Sequence, residues 1–114
     1  MAPHPDVGRV GLREARRALG HAVSERDWQH QVEQMLDLGR WHWHHETDSR
    51  RSKAGLPDLI AARGKQLLFI ELKKAGGRVS GPQQEWLDDL GRCTSVAAHL
   101  WFPSDFDEAR EVLL

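Results

Sequence analysis

The sequence predicts a single α/β domain with a mixed central sheet of about four strands flanked by helices. The chain has 114 residues, the size of one ordinary domain. Its apolar residues alternate between helical and strand spacing, and the predicted elements follow as helix, three strands, helix, strand and helix. We assign residues 23–114 to this domain, and residues 1–22, which contain several glycines and prolines, to a flexible N-terminal arm or one short helix.

Two helices are marked by residues that favour helix ends. Ser24 is a suitable N-cap for the first helix, whose apolar residues recur three and four positions apart until Gly39. Ser80 and Pro82 precede the second helix, which ends at Gly91. The first helix is therefore expected to be amphipathic.

The remaining elements are predicted from alternation and from one further cap. Trp41, Trp43 and His45 alternate with polar residues, which indicates a strand with these three side chains on one face. Residues 95–102 form the fourth predicted strand, and Ser104 is expected to cap the last helix.

A predicted hairpin brings acidic and basic side chains together at one end of the sheet. A two-residue loop, Gly64-Lys65, places Asp58 directly opposite Glu71, with their Cβ atoms roughly 4.5–5.5 Å apart. Lys73 follows two residues after Glu71 and therefore shares its face. Two carboxylates beside one ammonium suit a divalent-cation site, although an ordinary ion pair across a hairpin is the alternative.

The residue before Asp58 favours the metal site. Burying charges at the end of an apolar sheet costs several kcal/mol per ion unless they are paired or bind metal. Pro57 stands at the first residue of the predicted strand. It has no backbone N–H to donate to a neighbouring strand, and its ring fixes the backbone just before Asp58. Oxygen ligands of this kind select Mg²⁺ or Mn²⁺.

The net charge of −1 conceals an uneven distribution. Residues 50–78 contain eight basic residues and only two acids, Asp58 and Glu71, whereas residues 85–114 contain seven acids and two arginines. A basic segment around two carboxylates suits a polyanionic substrate, with a solvated charged surface as the alternative. Arg50 and Arg51 are the best candidates for clamping backbone phosphates, because a guanidinium binds phosphate oxygens in pairs.

Several other features are expected to be structural. Cys93 is the one cysteine, which excludes an internal disulfide and favours a reducing, cytoplasmic setting. No apolar stretch reaches the roughly 20 residues that span a bilayer, so no membrane association is expected.

His42 and His44 share one strand face, but no second cluster completes a zinc site. Trp86 and Trp101 are expected to fill the core.

Two short segments carry a family resemblance. Gly55-Leu56-Pro57-Asp58, followed by Glu71-Leu72-Lys73, resembles the active-site signature of the PD-(D/E)XK nuclease superfamily. The wider pattern resembles its VRR-NUC branch, the virus-type replication and repair nucleases. The other matching residues are Ser24-Glu25 with Trp28-Gln29, His45 before residues 48–52, Ser80 before Gln83 and Trp86-Leu87, and Trp101 before residues 103–105. The resemblance covers nearly everything after the arm and implies a restriction-endonuclease-like fold.

The resemblance also implies roles for individual residues. Asp58 and Glu71 would ligate Mg²⁺ or Mn²⁺, with the Leu72 carbonyl as an extra oxygen, and Lys73 would position the attacking water or stabilise charge on the phosphate. The superfamily often supplies a further carboxylate from the first helix.

Two further residues are candidates for the site, and each also has a purely structural interpretation. Glu25 and Glu33 compete to supply the helix carboxylate; Glu25 has the family spacing, although it also simply complements the helix dipole. Gln83 matches a glutamine beside the site in relatives, and an ordinary surface glutamine is the alternative.

The function implied is a metal-dependent DNA nuclease, structure-selective and endonucleolytic, in phage-type replication, recombination or repair in a bacterial or phage-infected cell. Its partner would be DNA, branched or nicked, and cutting both strands would require a homodimer. The predicted DNA contacts are His45, Arg50, Arg51, Lys53, Lys74 and Arg78. A module of the same fold that binds DNA without cutting is the first alternative, and an α/β interaction protein with a structural ion pair is the second.

Overall fold

A computed structural model describes residues 23–47 and 54–114. Its elements are helix α1 (Glu25–Leu38), strands β1 (His42–His45), β2 (Leu59–Arg63) and β3 (Gln66–Leu72), helix α2 (Gly81–Gly91), strand β4 (Ala97–Trp101), a 3₁₀ turn (Pro103–Asp105) and helix α3 (Phe106–Leu113). This confirms the predicted fold class and element order. None of the helices in this part of the chain is long and apolar enough to cross a bilayer. The predicted arm and the three predicted DNA contacts Arg50, Arg51 and Lys53 lie outside the described residues.

The four strands form one mixed sheet in the order β1-β2-β3-β4. The first two pairings are antiparallel, and β4 runs parallel to β3. Arg63 pairs with Gln66, as the predicted two-residue loop requires, and Gly64 has a φ of 60°. Strand β2 begins at Leu59, so the prediction that Pro57 is the first strand residue was wrong. The pairing of β1 with β2 nevertheless extends past the end of both strands, because the Glu46 N–H donates to the Asp58 carbonyl at 2.9 Å.

Helices α1 and α3 cover one face of the sheet and form the core with it. Trp28 and Leu36 of α1 and Leu113 of α3 are fully buried, together with Leu59 and Ile70 of the sheet. Alternation along β3 sends Leu68, Ile70 and Leu72 into this core. Glu71 therefore points to the opposite face, on the side of helix α2.

Helix α2 covers the second face less completely. It contributes no buried residue to the core, and Trp86 is only partly buried, so the prediction that this tryptophan fills the core was wrong. The helix contacts β4, the strand at the edge of the sheet, and its apolar residues Trp86, Leu87 and Leu90 are only partly shielded from solvent. Trp101 is 1% exposed, as predicted, and its carbonyl accepts a hydrogen bond from Trp28 Nε1 at 3.1 Å.

The last helix does not begin where the sequence predicts. Ser104 lies inside the 3₁₀ turn and does not cap α3, whose N-cap is Asp105. The Asp105 carboxylate accepts from the Phe102 N–H at 2.9 Å, which closes the turn before the α-helix starts. Helical turns therefore begin at Pro103, before Ser104, so this serine is not at the position of an N-cap.

Candidate active site

Three predicted site residues meet at one end of the sheet. Asp58 precedes β2, Glu71 lies near the end of β3, and Lys73 follows it. The Asp58 carboxylate accepts from the Leu72 N–H at 3.1 Å, which fixes it against the end of β3. Lys73 Nζ lies 3.6 Å from Glu71 Oε1. The hairpin register therefore brings these side chains together, and their chemical roles stay predictions.

The Glu71 carboxylate is enclosed but only partly satisfied. Its residue is 1% exposed. Oε1 accepts from Gln83 Nε2 at 2.9 Å and faces the Lys73 ammonium. Oε2 is buried and makes no hydrogen bond of ordinary geometry, although the backbone N–H of Asp58 lies close enough to the carboxylate to lower its pKa. A buried acceptor without a partner costs about 1–3 kcal/mol, and more when it is charged. This oxygen therefore lacks an electropositive group.

Both carboxylates have raised pKa values. Burial and, second, the charge of Asp58 raise the pKa of Glu71 from 4.5 to about 7, against the opposing effects of Lys73 and of the Asp58 backbone N–H. Burial also raises the pKa of Asp58, and the Glu25 charge adds to that effect, whereas the Leu72 N–H and Lys73 oppose it. The positive charge present is thus insufficient to compensate for burying two neighbouring carboxylates. A divalent cation would supply the missing charge.

Gln83 is held in one orientation by the start of helix α2. Its Oε1 accepts from the Ser80 N–H at 2.9 Å, and Ser80 Oγ accepts from the Gln83 N–H at 3.3 Å, a reciprocal capping box. Since Oε1 faces a donor, Nε2 must be the atom that donates to Glu71. The same residue therefore starts the helix and orients the buried carboxylate.

The loop before Asp58 packs directly against the start of α2. Gly55 has a φ of 89°, and a Cβ on it would lie 2.3 Å from the Pro82 carbonyl carbon and 2.6 Å from the Gln83 nitrogen. Only glycine permits both this conformation and this close approach. Gly55 thereby joins the Asp58 loop to the helix that carries Gln83.

Helix α1 brings a third carboxylate toward the site. Glu25 lies in its first turn, and its negative charge helps to raise the pKa of Asp58. Glu33 is engaged elsewhere, since its Oε2 accepts from Gln29 Nε2 at 2.7 Å. Of the two competing glutamates, Glu25 is thus the one that the geometry leaves for a cation, and its role as a ligand stays a prediction.

Gln29 was not predicted as part of the site. Its Nε2 also lies 3.0 Å from Nδ1 of His45, whose positive form would lower the pKa of Asp58. The four-residue spacing of Gln29 and Glu33 on one helix face indicated their contact. Nothing local in the sequence indicated that the pair meets His45 on β1.

The other predicted contacts occupy the surface near the site. Lys74 and Arg78 are exposed in the segment that follows β3. His42 and His44, the two histidines that share one face of β1, are also exposed, and His44 Nε2 lies 3.9 Å from a Glu46 carboxylate oxygen. Binding of DNA by His45, Lys74 and Arg78 stays a prediction.

The donor set fits a hard cation that retains water. Within residues 23–47 and 54–114, no three His, Cys, Asp or Glu side chains form a ready-made metal cluster. Asp58 and Glu71 offer carboxylate oxygens, the Leu72 carbonyl is adjacent in sequence, and the unpartnered Glu71 Oε2 requires positive charge. Mg²⁺ is usually bound by one or two carboxylates and keeps several waters. The residues present therefore fit Mg²⁺ or Mn²⁺ and do not fit a closed zinc site.

Comparison with known families gives one finding. The family model described as the VRR-NUC domain matches residues 12–101. This range includes Glu25, Asp58, Glu71, Lys73 and Gln83, and it ends at the last residue of β4. No match is found among curated proteins.

Proposed function

The chain belongs to the VRR-NUC domain family, whose fold is of the nuclease type, and we propose that it is a Mg²⁺- or Mn²⁺-dependent nuclease that hydrolyses phosphodiester bonds in DNA. The proposed enzyme is a structure-selective endonuclease that leaves a 5′-phosphate. The observation that carries the proposal is the buried Glu71 Oε2, which lies next to the Asp58 carboxylate and makes no hydrogen bond of ordinary geometry.

Oxygens at one end of the hairpin would hold the cation. Asp58 and Glu71 supply carboxylates, with the Leu72 carbonyl and Glu25 as further ligands. Once bound, a divalent cation provides Lewis-acid chemistry for phosphodiester hydrolysis. It also relieves the repulsion between carboxylates that raises their pKa values. Gln83 holds Oε1 of Glu71, which leaves Oε2 as the oxygen that would bind a cation.

Lys73 supplies the positive charge that meets the substrate. Its ammonium is partly buried and lies 3.6 Å from Glu71 Oε1, so it is held at the site and not in bulk solvent. An ammonium with three donors positions the attacking water and stabilises charge that develops on the phosphate. Lys74 and Arg78, exposed nearby in the chain, bind the backbone phosphates on either side.

The proposal is tested by cleavage of linear, nicked and branched DNA with Mg²⁺ or Mn²⁺. The wild type is expected to cut, and the Asp58→Asn and Lys73→Met variants are each expected to cut at least about 100-fold more slowly, as for other groups that stabilise charge in a transition state. Glu111→Gln, at an exposed position on α3, serves as the matched control and should cut like the wild type. Failure to cut with either metal, or equal cutting by all variants, contradicts the proposal.

Metal binding separates the proposal from its alternative. Calorimetric titration with Mn²⁺ is expected to show binding to the wild type and much weaker binding to Asp58→Asn and Glu71→Gln. A protein that binds DNA but neither binds Mn²⁺ nor cuts would instead be the DNA-binding module.

A further inference from the structure

Three side chains link the middle of helix α1 to the edge of the site. Gln29 Nε2 lies 2.7 Å from Glu33 Oε2 and 3.0 Å from His45 Nδ1. All three residues are partly buried, so the contacts are shielded from bulk water on at least one side. His45 is the last residue of β1, and the next residue, Glu46, donates its backbone N–H to the Asp58 carbonyl. The ring therefore lies beside the strand end that carries Asp58.

The hydrogen bonds in this set determine which way the Gln29 amide faces. A carboxylate oxygen can only accept, so the Gln29 atom 2.7 Å from Glu33 must be the donor nitrogen. With the amide reversed, two acceptor oxygens would face each other at that distance. Glu33 therefore fixes the amide with Nε2 between itself and His45.

The fixed amide in turn determines where the imidazole carries its hydrogen. An amide nitrogen donates two hydrogens and accepts none, since its lone pair is delocalised into the carbonyl. Nδ1 of His45, 3.0 Å from Gln29 Nε2, must therefore accept. A neutral imidazole with an accepting Nδ1 carries its hydrogen on Nε2.

We propose that Gln29 and Glu33 are positioning residues that hold His45 as the Nε2–H tautomer, so that the ring donates a hydrogen bond to a phosphate oxygen of bound DNA. The phosphate contact rests on the proposed nuclease function, whereas the tautomer does not. In this arrangement His45 is a donor at Nε2 and cannot remove a proton from water there. The attacking water then depends on the carboxylates and Lys73, and not on the imidazole.

The tautomer is tested by nuclear magnetic resonance on the full chain labelled with ¹⁵N in its histidine rings. Long-range hydrogen–nitrogen correlations show which ring nitrogen carries the hydrogen, and the His45 signals are identified by their loss in His45→Asn. His45 is expected to give the pattern of a single Nε2–H tautomer, whereas the exposed His42 and His44 give exchange-averaged patterns. An averaged or Nδ1–H pattern for His45 overturns the proposal.

A substitution that replaces the hydrogen-bond donor at position 29 with an acceptor tests the cause. In Gln29→Glu a carboxylate replaces the donor and can only accept, so the His45 hydrogen is expected to move to Nδ1. Gln34→Glu, at an exposed position on the same helix, makes the same chemical change and should leave the His45 signals unchanged. Should Gln29→Glu fail to fold, Gln29→Leu removes the donor and is expected to give an averaged His45 pattern. Unchanged His45 signals in a folded variant at position 29 overturn the proposal.

Cleavage assays distinguish the positioning role from simple loss of structure. Gln29→Glu is expected to lower kcat by about tenfold or more, the lower range for loss of an outer hydrogen bond at an active site, and Gln34→Glu should have no effect. Glu33→Gln can donate as well as accept, so it no longer fixes the Gln29 amide and is expected to give a mixture of the two His45 tautomers. If the wild type shows the Nε2–H tautomer but cuts no DNA, the proposed function fails and the positioning of the ring stands. If it cuts while Gln29→Glu cuts equally well, the positioning role fails.

Discussion

At the scale of single residues, the burial of the Glu71 carboxylate destabilises the folded protein, whereas the proposed metal site requires that carboxylate. A neutral side chain of the same shape would avoid the loss of hydration that burial imposes on a carboxylate. Glu71 is instead buried with one oxygen unpartnered and next to Asp58. Under the proposed function, a bound cation would compensate for this arrangement, and the instability of the metal-free site would then contribute to metal affinity.

The pH dependence of stability follows from the raised pKa of Glu71. The side chain has an ordinary pKa of 4.5, and burial raises it to about 7 in the folded protein. The folded state therefore keeps a proton that the unfolded chain releases, and stability falls as pH rises from about 4.5 through about 7. The total loss is roughly 3 kcal/mol. Urea unfolding at several pH values in a metal chelator is expected to show that Glu71→Gln gains stability relative to wild type across this window.

The control for this prediction is Glu85→Gln, at an exposed position on α2. It should follow the wild type at every pH. Curves for wild type and Glu71→Gln that stay parallel between about pH 5 and about pH 8 would contradict the raised pKa. Saturating Mn²⁺ should stabilise the wild type above about pH 7 and have little effect on Glu71→Gln.

At the scale of elements, the start of helix α2 packs closely against the loop before Asp58 at one glycine. The helix buries no residue fully, so the core does little to fix it. Gly55 meets Pro82 and Gln83 closely enough that any Cβ would collide with the helix backbone. The position of Gln83, and with it the orientation of Glu71, therefore relies on the absence of a side chain at residue 55.

Two glycine substitutions separate backbone strain from this contact. Gly55 and Gly64 both have positive φ, at 89° and 60°, but a Cβ added to Gly64 would meet no atom within 4 Å. Gly64→Ala is expected to cost about 1 kcal/mol through strain alone. Gly55→Ala adds a collision with backbone and is expected to cost about 3 kcal/mol in urea unfolding. Equal losses of unfolding free energy in Gly55→Ala and Gly64→Ala would show that α2 moves away from the loop at no energetic cost.

Sequence patterns predicted those elements whose geometry is set locally. The two-residue turn and the alternation of β2 and β3 determine the register, so the approach of Asp58 to Glu71 followed from counting residues. Amphipathic spacing shows which side of α2 faces the sheet, but not how far the sheet extends beneath it, and so Trp86 was misplaced. The contact between Gln29 and His45 depends on how α1 crosses β1, which neither segment encodes alone.

At the scale of the whole molecule, the two ends of the sheet have different roles. One end carries Asp58 and Glu71. At the other, the Arg63 guanidinium donates to the Gly39 carbonyl at 2.9 Å and the Leu113 carbonyl at 3.1 Å, and it lies 4.1 Å from the centre of the Trp41 ring. These contacts join the ends of α1 and α3 to β2, far along the strand from the site.

Arg63 is therefore expected to stabilise the fold without taking part in cleavage. Arg63→Ala should lower the free energy of unfolding by about 2–3 kcal/mol, because it removes two charged hydrogen bonds and a cation–π contact. Arg92→Ala, which removes an exposed pair with Asp89, should cost less than about 0.5 kcal/mol. Both variants should cut DNA like the wild type below their unfolding transitions. A lower rate for fully folded Arg63→Ala would show that the two ends are coupled.

The uneven distribution of charge along the chain leads to a prediction about how DNA affinity depends on salt. Binding to phosphates releases counterions, and each contact contributes about 0.9 to the slope of log affinity against log salt. Lys74 and Arg78 are exposed just beyond the site, whereas Lys65 occupies the β2–β3 turn at the opposite end of the sheet. Lys74→Ala and Arg78→Ala should each reduce the slope by about 0.9, and Lys65→Ala should leave it unchanged.

Fluorescence anisotropy with labelled duplex DNA, in a metal chelator to prevent cleavage, measures these slopes over a series of salt concentrations. The three substitutions each remove one positive charge, so a general effect of net charge would change all slopes alike. Equal slopes for Lys65→Ala and Lys74→Ala would show that DNA is attracted by the whole protein. A difference between them would place the DNA at the Asp58 end of the sheet, because only charges near the phosphates release counterions on binding.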